Sequence, residues 1–208
     1  MNDSVLQKSE RGRPSSFSRE QVIDQVMQLF WTHGYNDLSF NAIAKEIDLK
    51  RSSLYNTFKT KEALFTECLK YYVARSPLMD FEKYQAGQAV SPLMHRIFND
   101  ICEQRAEDAL HRGCLATNTF NELATSDSTL GETMRKHHAQ RQKTVADVIR
   151  YAINQGELPD NSNAQVLANI ILSFLAGLNI HAKKGGSQTE LKKMSQLFLN
   201  KIGFVVKN

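Results

Sequence analysis

An all-α fold of about nine helices is predicted from three features of the sequence. Apolar residues recur at steps of three and four along most of the 208 residues, and no segment alternates with a period of two for long enough to predict a strand. Capping residues, Gly and Pro separate the periodic runs. We expect a three-helix domain over residues 17–62 and a larger helical domain over residues 63–208, since a chain of this length can bury more than one core.

The beginning of the first helix is marked by a change in composition. Residues 1–16 have no periodic apolar pattern, so we expect a flexible arm with a basic end at residues 11–14 (Arg-Gly-Arg-Pro). The first helix should begin after Ser18, because Ser18 and Gln21 have the spacing of a capping box. It should end at Gly34, since glycine readily adopts the left-handed conformation that closes many helices.

Residues 38–58 contain two short amphipathic patterns separated by a break long enough only for a tight turn, which predicts a helix-turn-helix. A single apolar stripe runs through both helices at steps of three and four: Phe40, Ile43, Ala44, Ile47, Leu54 and Phe58. The opposite side of the second helix carries hydrogen-bond donors: Arg51, Ser52, Tyr55 and Asn56. Such a polar helix face suits a DNA groove.

Further helices fill the rest of the chain. A fourth helix is predicted from the capping residue Thr60 to about Arg75, where Pro77 disfavours its continuation. A loose connection over residues 76–91 should follow. Helical runs are then predicted over residues 93–110, 113–124, 128–154, 163–183 and 189–204.

The charge of the chain permits a polyanionic partner without requiring one. The formal net charge is +4 and the pI is about 8.9. Basic residues nevertheless gather in residues 38–61, where Lys45, Lys50, Arg51, Lys59 and Lys61 outnumber Glu46 and Asp48. Without the helix-turn-helix pattern, a solvated helix face would be the simpler interpretation.

The composition also bears on the compartment and on other classes of function. The three cysteines cannot all pair within one chain, and the most apolar stretch, residues 166–180, is interrupted by polar residues and shorter than about 20 residues. We therefore expect a soluble cytoplasmic protein that does not cross a membrane. The sequence has no phosphate-binding glycine loop and no nucleophile-elbow motif, and side chains of the adjacent His137 and His138 would diverge by about 100° on a helix. We expect no enzyme activity, no cofactor and no metal site.

Several short motifs lie at specific positions in the first four predicted helices. They are Leu29-Phe30, His33-Gly34-Tyr35, Ile43-Ala44, Ser53-Leu54-Tyr55, Phe58 and Lys61-Glu62-Ala63-Leu64. With these motifs, residues 17–65 resemble the TetR family of bacterial transcriptional regulators. The sequence departs from the family pattern at Asp48, where glycine is usual, at Lys50, where a serine cap is usual, and at Thr57, where histidine is common. Asp tolerates a left-handed turn, whereas the lost cap should cost the third helix about 1 kcal/mol.

The resemblance implies that the third helix enters the major groove of an operator and that Ser39, Tyr55 and Lys61 hold phosphates. Arg51 has the geometry to pair with guanine, and Asn56 has the geometry to pair with adenine. The residues expected at DNA are Ser39, Lys50, Arg51, Ser52, Ser53, Tyr55, Asn56 and Lys61, with Arg11 and Arg13 in the adjacent minor groove. A merely solvated arm is the alternative for the last two.

Two apolar stripes near the C-terminus predict a subunit interface. A helix-turn-helix gains affinity when two copies meet a two-fold operator, and the last two helices could form half of a four-helix bundle between subunits. The residues expected at this interface are Leu167, Ile171, Phe174, Leu178, Leu191, Met194 and Phe198. The alternative is that these stripes belong to the chain's own core.

The second half resembles the family's ligand-binding domain in layout, which implies a small-molecule pocket behind the fourth helix. Candidate lining residues are Phe98, Cys102, Phe120, Met134, His138 and Phe174, with plain core packing as the alternative for each. Residues 112–115 (Arg-Gly-Cys-Leu) resemble a stretch of some TetR regulators that respond to oxidants or electrophiles. A helix start, His111 and Arg112 would favour the thiolate of Cys114, although a small buried residue is the alternative.

These expectations combine into one function. We expect a homodimeric repressor that binds a palindromic double-stranded DNA operator and leaves it when an unidentified small-molecule inducer binds. A helical ligand carrier that does not bind DNA and a thiol-based regulator that senses through Cys114 are the alternatives.

Overall fold

The computed structural model describes residues 18–205, and every regular element in this range is helical, as predicted. The elements are α1 (Arg19–His33), α2 (Phe40–Glu46), α3 (Arg51–Phe58), α4 (Lys61–Ala74), a 3-10 helix (Pro77–Phe81), α5 (Val90–Glu107), α6 (Leu115–Leu123), α7 (Thr129–Asn154), α8 (Ala164–Lys183) and α9 (Gln188–Lys201). Arg11 and Arg13 of the predicted arm lie outside the described residues.

Helix α1 begins and ends where its capping residues predict. The side-chain oxygen of Ser18 accepts a hydrogen bond from the Gln21 N–H at 3.2 Å, and the Gln21 side chain accepts one from the Ser18 N–H at 2.7 Å. Gly34 follows the helix with φ of 84°, a conformation that glycine adopts without steric cost. The inner face of α1 buries Val26 and Phe30.

The turn between α2 and α3 uses aspartate instead of glycine. Asp48 has φ of 51°, in the left-handed region that aspartate tolerates better than most residues. Lys50 precedes α3 and makes no capping hydrogen bond with its side chain, so α3 lacks the stabilisation that a serine would give. Leu54 and Phe58 are buried and hold α3 against α1, α2 and α4.

Helix α4 packs with the first three helices. Leu64 and Phe65 are buried in one apolar cluster with residues of α1, α2 and α3, and the Phe65 ring meets the Phe30 ring edge-on at a centroid distance of 4.9 Å. The same cluster includes Leu123 of α6 and Met134 of α7. The two halves of the chain therefore share a core, and the domain boundary at residue 62 stays a prediction.

A second apolar cluster is formed mainly by α5, α7, α8 and α9. Helix α5 begins at Val90, before the predicted residue 93, because Pro92 is tolerated in the first turn of a helix. The carboxylate of Glu157 accepts hydrogen bonds from the N–H groups of Val90 and Ser91 at 2.6 and 2.7 Å, and so replaces the missing cap. The predicted loose connection contains the 3-10 helix, whose Phe81 is buried.

Helix α8 is 20 residues long, which exceeds the apolar stretch predicted from the sequence. Within residues 18–205 it is the one helix that is long and apolar enough to cross a bilayer by length and composition. A core helix of a soluble protein passes the same test, and 33% of the most apolar window of α8 is buried in this protomer.

Candidate nucleic-acid interface and ligand cavity

The outward side of α3 is exposed along its length. Because Leu54 and Phe58 point into the core, the other residues of this helix are turned to solvent. Tyr55 keeps 54% of its surface exposed. The exposed residues, beginning just before the helix, are Lys50, Arg51, Ser52, Ser53, Tyr55, Asn56 and Thr57. These side chains form a polar surface that is available to a partner.

Ser39 lies at the start of α2, where its side chain has a structural role. Its Oγ accepts a hydrogen bond from the Ala42 N–H at 3.1 Å and so caps the helix. The hydroxyl hydrogen is not used in this contact and is available as a donor. The predicted phosphate contact is therefore compatible with the capping role.

The Lys61 side chain contacts the loop between α1 and α2, which the sequence did not predict. Its Nζ donates hydrogen bonds to the carbonyl oxygens of Tyr35 and Leu38, both at 3.0 Å, and lies 4.1 Å from the centroid of the Tyr35 ring. Burial lowers the pKa of Lys61, although the charges of Glu122 and Glu62 oppose this effect. Two of its three donors hold the loop between α1 and α2, and the predicted phosphate contact stays a prediction for the third.

Glu122 of α6 holds the same loop. Its carboxylate accepts hydrogen bonds from the backbone N–H groups of Tyr35, at 3.1 Å, and Asn36, at 2.6 Å. Charge-assisted hydrogen bonds of this kind are stronger than neutral ones. Helix α6 is thus attached directly to the helix-turn-helix.

A further contact between the two halves is made by Arg112. Its guanidinium lies 4.0 Å from the ring centroid of Trp31 and donates a hydrogen bond to the Gln28 side chain at 2.7 Å, both on α1. Asp108 pairs with the same guanidinium at 2.8 Å and fixes its orientation. Arg112 therefore tethers α1 to the segment between α5 and α6.

A cavity of about 470 Å³ lies between α4, α5, α6, α7 and α8. Phe120, Met134 and His138 line it, as predicted, and the rings of Phe120 and His138 stack at a centroid distance of 4.5 Å. The wall formed by α6 consists of Ala116, Thr117, Phe120 and Asn121. The helix that carries Glu122 is therefore also a wall of the cavity.

The prediction is wrong for three other residues, which do not line the cavity. Phe98 and Cys102 are buried between α5 and α9, where the Cys102 Sγ lies 3.3 Å from the Ser195 Oγ. Phe174 stacks on Phe198 of α9 at a centroid distance of 3.9 Å. The apolar stripes of α5 and α8 contribute some residues to the core and others to the cavity lining. Helical spacing alone does not show which residues belong to which.

The prediction of a subunit interface is also wrong for three of its residues. Ile171, Leu178 and Leu191 are buried in the protomer's own core because they face α5 and α7, and they offer no surface to a second subunit. The other four, Leu167, Phe174, Met194 and Phe198, lie half-buried beside that core. The exposed large apolar residues of these two helices are Val166, Ile170, Ile180 and Leu197.

Cys114 lies at the N-cap position of α6 and lines the cavity. Its neighbours are Arg105, Tyr72 and Thr117 instead of the predicted His111 and Arg112, since Arg112 is bound to Asp108 and His111 is exposed. Burial opposes ionisation of the thiol, but the Arg105 charge and the polar groups of Thr117 and Tyr72 outweigh it and lower the pKa of Cys114. The predicted thiolate character is thus favoured by other residues.

Sequence reasoning missed Arg105 and Asn179. Both are buried in the core, and the Arg105 Nε donates a hydrogen bond to the Asn179 Oδ1 at 2.6 Å. A signal was present, because Arg105 follows Ile97 and Ile101 at steps of four and Asn179 follows Leu175 in the same way. A polar residue on an apolar stripe indicates a buried polar contact.

Within residues 18–205 no group of three His, Cys, Asp or Glu side chains is arranged to hold a metal ion.

A helix-turn-helix with an exposed second helix, attached to a helical domain that encloses a cavity, defines the class of helix-turn-helix DNA-binding regulators. Residues 22–68 match the family model described as bacterial regulatory proteins, tetR family, and residues 93–198 match the model described as Tetracyclin repressor-like, C-terminal domain. The chain belongs to the TetR family of transcriptional regulators.

Individual relatives agree with this assignment. The chain is 27% identical over 191 residues to the HTH-type transcriptional repressor ComR of Escherichia coli (strain K12), covering 91% of this chain and 90% of ComR. It is 21% identical over 189 residues to the HTH-type transcriptional repressor BdcR of the same strain, covering 90% and 91% of the two chains. A cysteine mutant of the TetR family transcriptional regulator CifR, complexed with 26bp double-strand operator DNA, has the same fold with a TM-score of 0.73 at 22% identity, covering 91% of this chain and 98% of that one.

Replacing Glu122 by alanine should loosen the loop between α1 and α2. The N–H groups of Tyr35 and Asn36 would lose their acceptor, and such a charged hydrogen bond contributes about 1.5–3 kcal/mol. Hydrogen exchange at both amides, measured by NMR, should become about 10- to 100-fold faster.

Glu157→Ala is the matched control for this experiment. It removes a carboxylate from two backbone N–H groups of α5 in the same manner, and it should leave exchange at Tyr35 and Asn36 unchanged. Unchanged protection of these two amides in Glu122→Ala would contradict the proposed hold on the loop.

Proposed function

We propose that this protein is a homodimeric, cytoplasmic repressor that binds a palindromic operator through α3 and is released when a small molecule enters the cavity. The observation that carries this proposal is the double role of α6, which lines the cavity with Phe120 and bonds to the helix-turn-helix through Glu122. In this account the protein has a regulatory role and no catalytic one.

The exposed side of α3 would make the contacts with DNA. Arg51 and Asn56 have the donors to read base edges in the major groove. Phosphates on either side would be bound by Ser39, Tyr55, Lys61 and the exposed residues near the start of α3: Lys50, Ser52 and Ser53. Arg11 and Arg13 would extend these contacts into the minor groove.

Dimerisation would use the outer sides of α8 and α9. Val166, Ile170, Gly177 and Ile180 lie on one side of α8 at the steps of three, four and seven that bring residues to one helix face. Apart from its chain neighbours and the backbone of α8 itself, no atom of the protomer lies within 4 Å of a Cβ added at Gly177, so a second helix could approach closely there. Leu197 of α9 is 61% exposed and would extend this apolar surface.

Release from DNA requires a ligand that binds more tightly to the dimer whose α3 helices are wrongly spaced. A ligand in the cavity would contact α6 at Phe120 and α4 at Tyr72. A shift of α6 would withdraw Glu122 from the loop between α1 and α2, and a shift of α4 would move Lys61 at its other end. Both movements would change the position of the helix-turn-helix.

A thiol-based response is the second candidate, because Cys114 lines the cavity beside Arg105. Alkylation or oxidation of its sulfur would add volume or charge at the start of α6. That helix is the one that holds the DNA-binding domain, so covalent modification and reversible binding would act on the same element.

Arg51→Ala should weaken operator binding by about 10- to 100-fold, since a bidentate contact to a base contributes about 1–3 kcal/mol. Operator affinity is measured by fluorescence anisotropy. The DNA fragment is one that footprinting has first located beside the protein's own gene. Arg150→Ala removes an exposed arginine of α7 and should leave the affinity unchanged. Equal loss in both variants, or no binding by the unaltered chain at low salt, would favour the ligand-carrier alternative.

Ile170→Glu should convert the dimer into monomers of 23.6 kDa, because a charge would be buried in the apolar interface. Size-exclusion chromatography with light scattering gives the mass. Leu110→Glu adds the same charge at an apolar residue that is 64% exposed outside α8 and α9, and it should leave the dimer intact. A dimer that persists in Ile170→Glu would disprove this interface.

Cys114→Ser tests the thiol-based candidate. Iodoacetamide should release operator DNA from the unaltered chain and fail to release it from Cys114→Ser. Cys68→Ser is the matched control, because burial raises the pKa of Cys68 to about 12 and makes this thiol unreactive. Release that is unchanged in Cys114→Ser would eliminate this candidate.

A further inference from the structure

Arg105 is a buried guanidinium that has no carboxylate partner among residues 18–205. Its Nε donates to the Asn179 Oδ1 at 2.6 Å, and the Asn179 side-chain nitrogen donates to the Leu175 carbonyl at 2.8 Å, which fixes the orientation of this amide. The other side of the guanidinium faces the Tyr72 hydroxyl and the Cys114 thiol. Asn179, Tyr72 and Cys114 offset part of the loss of hydration of this charge, but no carboxylate pairs with it, and a buried charge without a full partner is unfavourable.

The charged lining of the cavity is positive. The ionisable basic residues in it are Arg105, Arg141, His137 and His138, and its described lining contains no Asp or Glu. Burial lowers the pKa of both histidines, which favours their neutral forms. Arg141 already donates to the Leu78 carbonyl at 2.8 Å and lies 3.5 Å from the Glu82 carboxylate. Of the two lining arginines, Arg105 is therefore the one without a carboxylate partner.

Apolar side chains provide much of the remaining wall: Val73, Ile101, Phe120, Met134, Leu172 and Leu175. The volume of about 470 Å³ lies in the range of cavities that bind organic ligands. We propose that the effector is an organic anion with an apolar body, whose anionic group pairs with Arg105 and whose body packs on the Phe120–His138 stack. This inference rests on the proposed function only in treating the cavity as the effector site.

Two fluorescent probes with the same apolar body test the proposal: anilinonaphthalene sulfonate, which is an anion, and phenylnaphthylamine, which is uncharged. In titrations of the full chain without DNA, the sulfonate should bind at least about 10-fold more tightly, the effect of one charged hydrogen bond in a buried site. Arg105→Gln should remove this advantage and leave phenylnaphthylamine binding unchanged. Arg105→Lys keeps the charge but loses the planar fork, so it should reduce the advantage even if Arg105→Gln fails to fold.

Arg96→Gln is the matched control, because Arg96 is an exposed arginine of the same helix that pairs with Asp80 outside the cavity lining. It should leave both affinities unchanged. Equal affinity for the two probes, or a sulfonate advantage that survives in both Arg105 variants, would overturn the proposal. A sulfonate that binds through Arg105 but does not release operator DNA would support the anion site and contradict the release mechanism instead.

Discussion

The loop between α1 and α2 is held by two side chains of opposite charge, and the coupling that we propose between the cavity and the helix-turn-helix depends on this hold. Lys61 donates to the carbonyl oxygens of Tyr35 and Leu38, while Glu122 accepts from the N–H groups of Tyr35 and Asn36. Backbone N–H and C=O groups of a loop need hydrogen-bond partners wherever they are buried away from water. Because Lys61 begins α4 and Glu122 lies on α6, the loop connects the helix-turn-helix with two walls of the cavity.

The free energy of the hydrogen bonds that hold this loop is of the same size as the coupling free energy that regulation requires. Hydrogen bonds to a charged group contribute about 1.5–3 kcal/mol, and the coupling free energy between an effector site and a second site is about 1–3 kcal/mol. In the proposed mechanism, a ligand that breaks the Glu122 contacts alone would therefore change DNA affinity by at most about one to two orders of magnitude. No large rearrangement of either core is needed.

Local features of the fold were predictable because they depend on neighbours in the sequence. The capping box at Ser18 and the left-handed turn at Asp48 are of this kind, and the exposed side of α3 follows from helical spacing. Contacts between distant segments were not predictable, such as the bond from Asn36 to Glu122 across 86 residues. A periodic stripe also fails to show which element covers it, and for this reason Ile171 was expected at the subunit interface but lies in the core.

The central claim is that one dimer presents its two α3 helices to successive turns of a DNA duplex. Hydroxyl-radical footprinting on the DNA that flanks the protein's own gene measures this arrangement directly. A dimer of this kind should give two protected patches related by two-fold symmetry, with centres separated by one helical turn of about 10 base pairs or a multiple of it. A single patch without symmetry, or no protection at low salt, would contradict it.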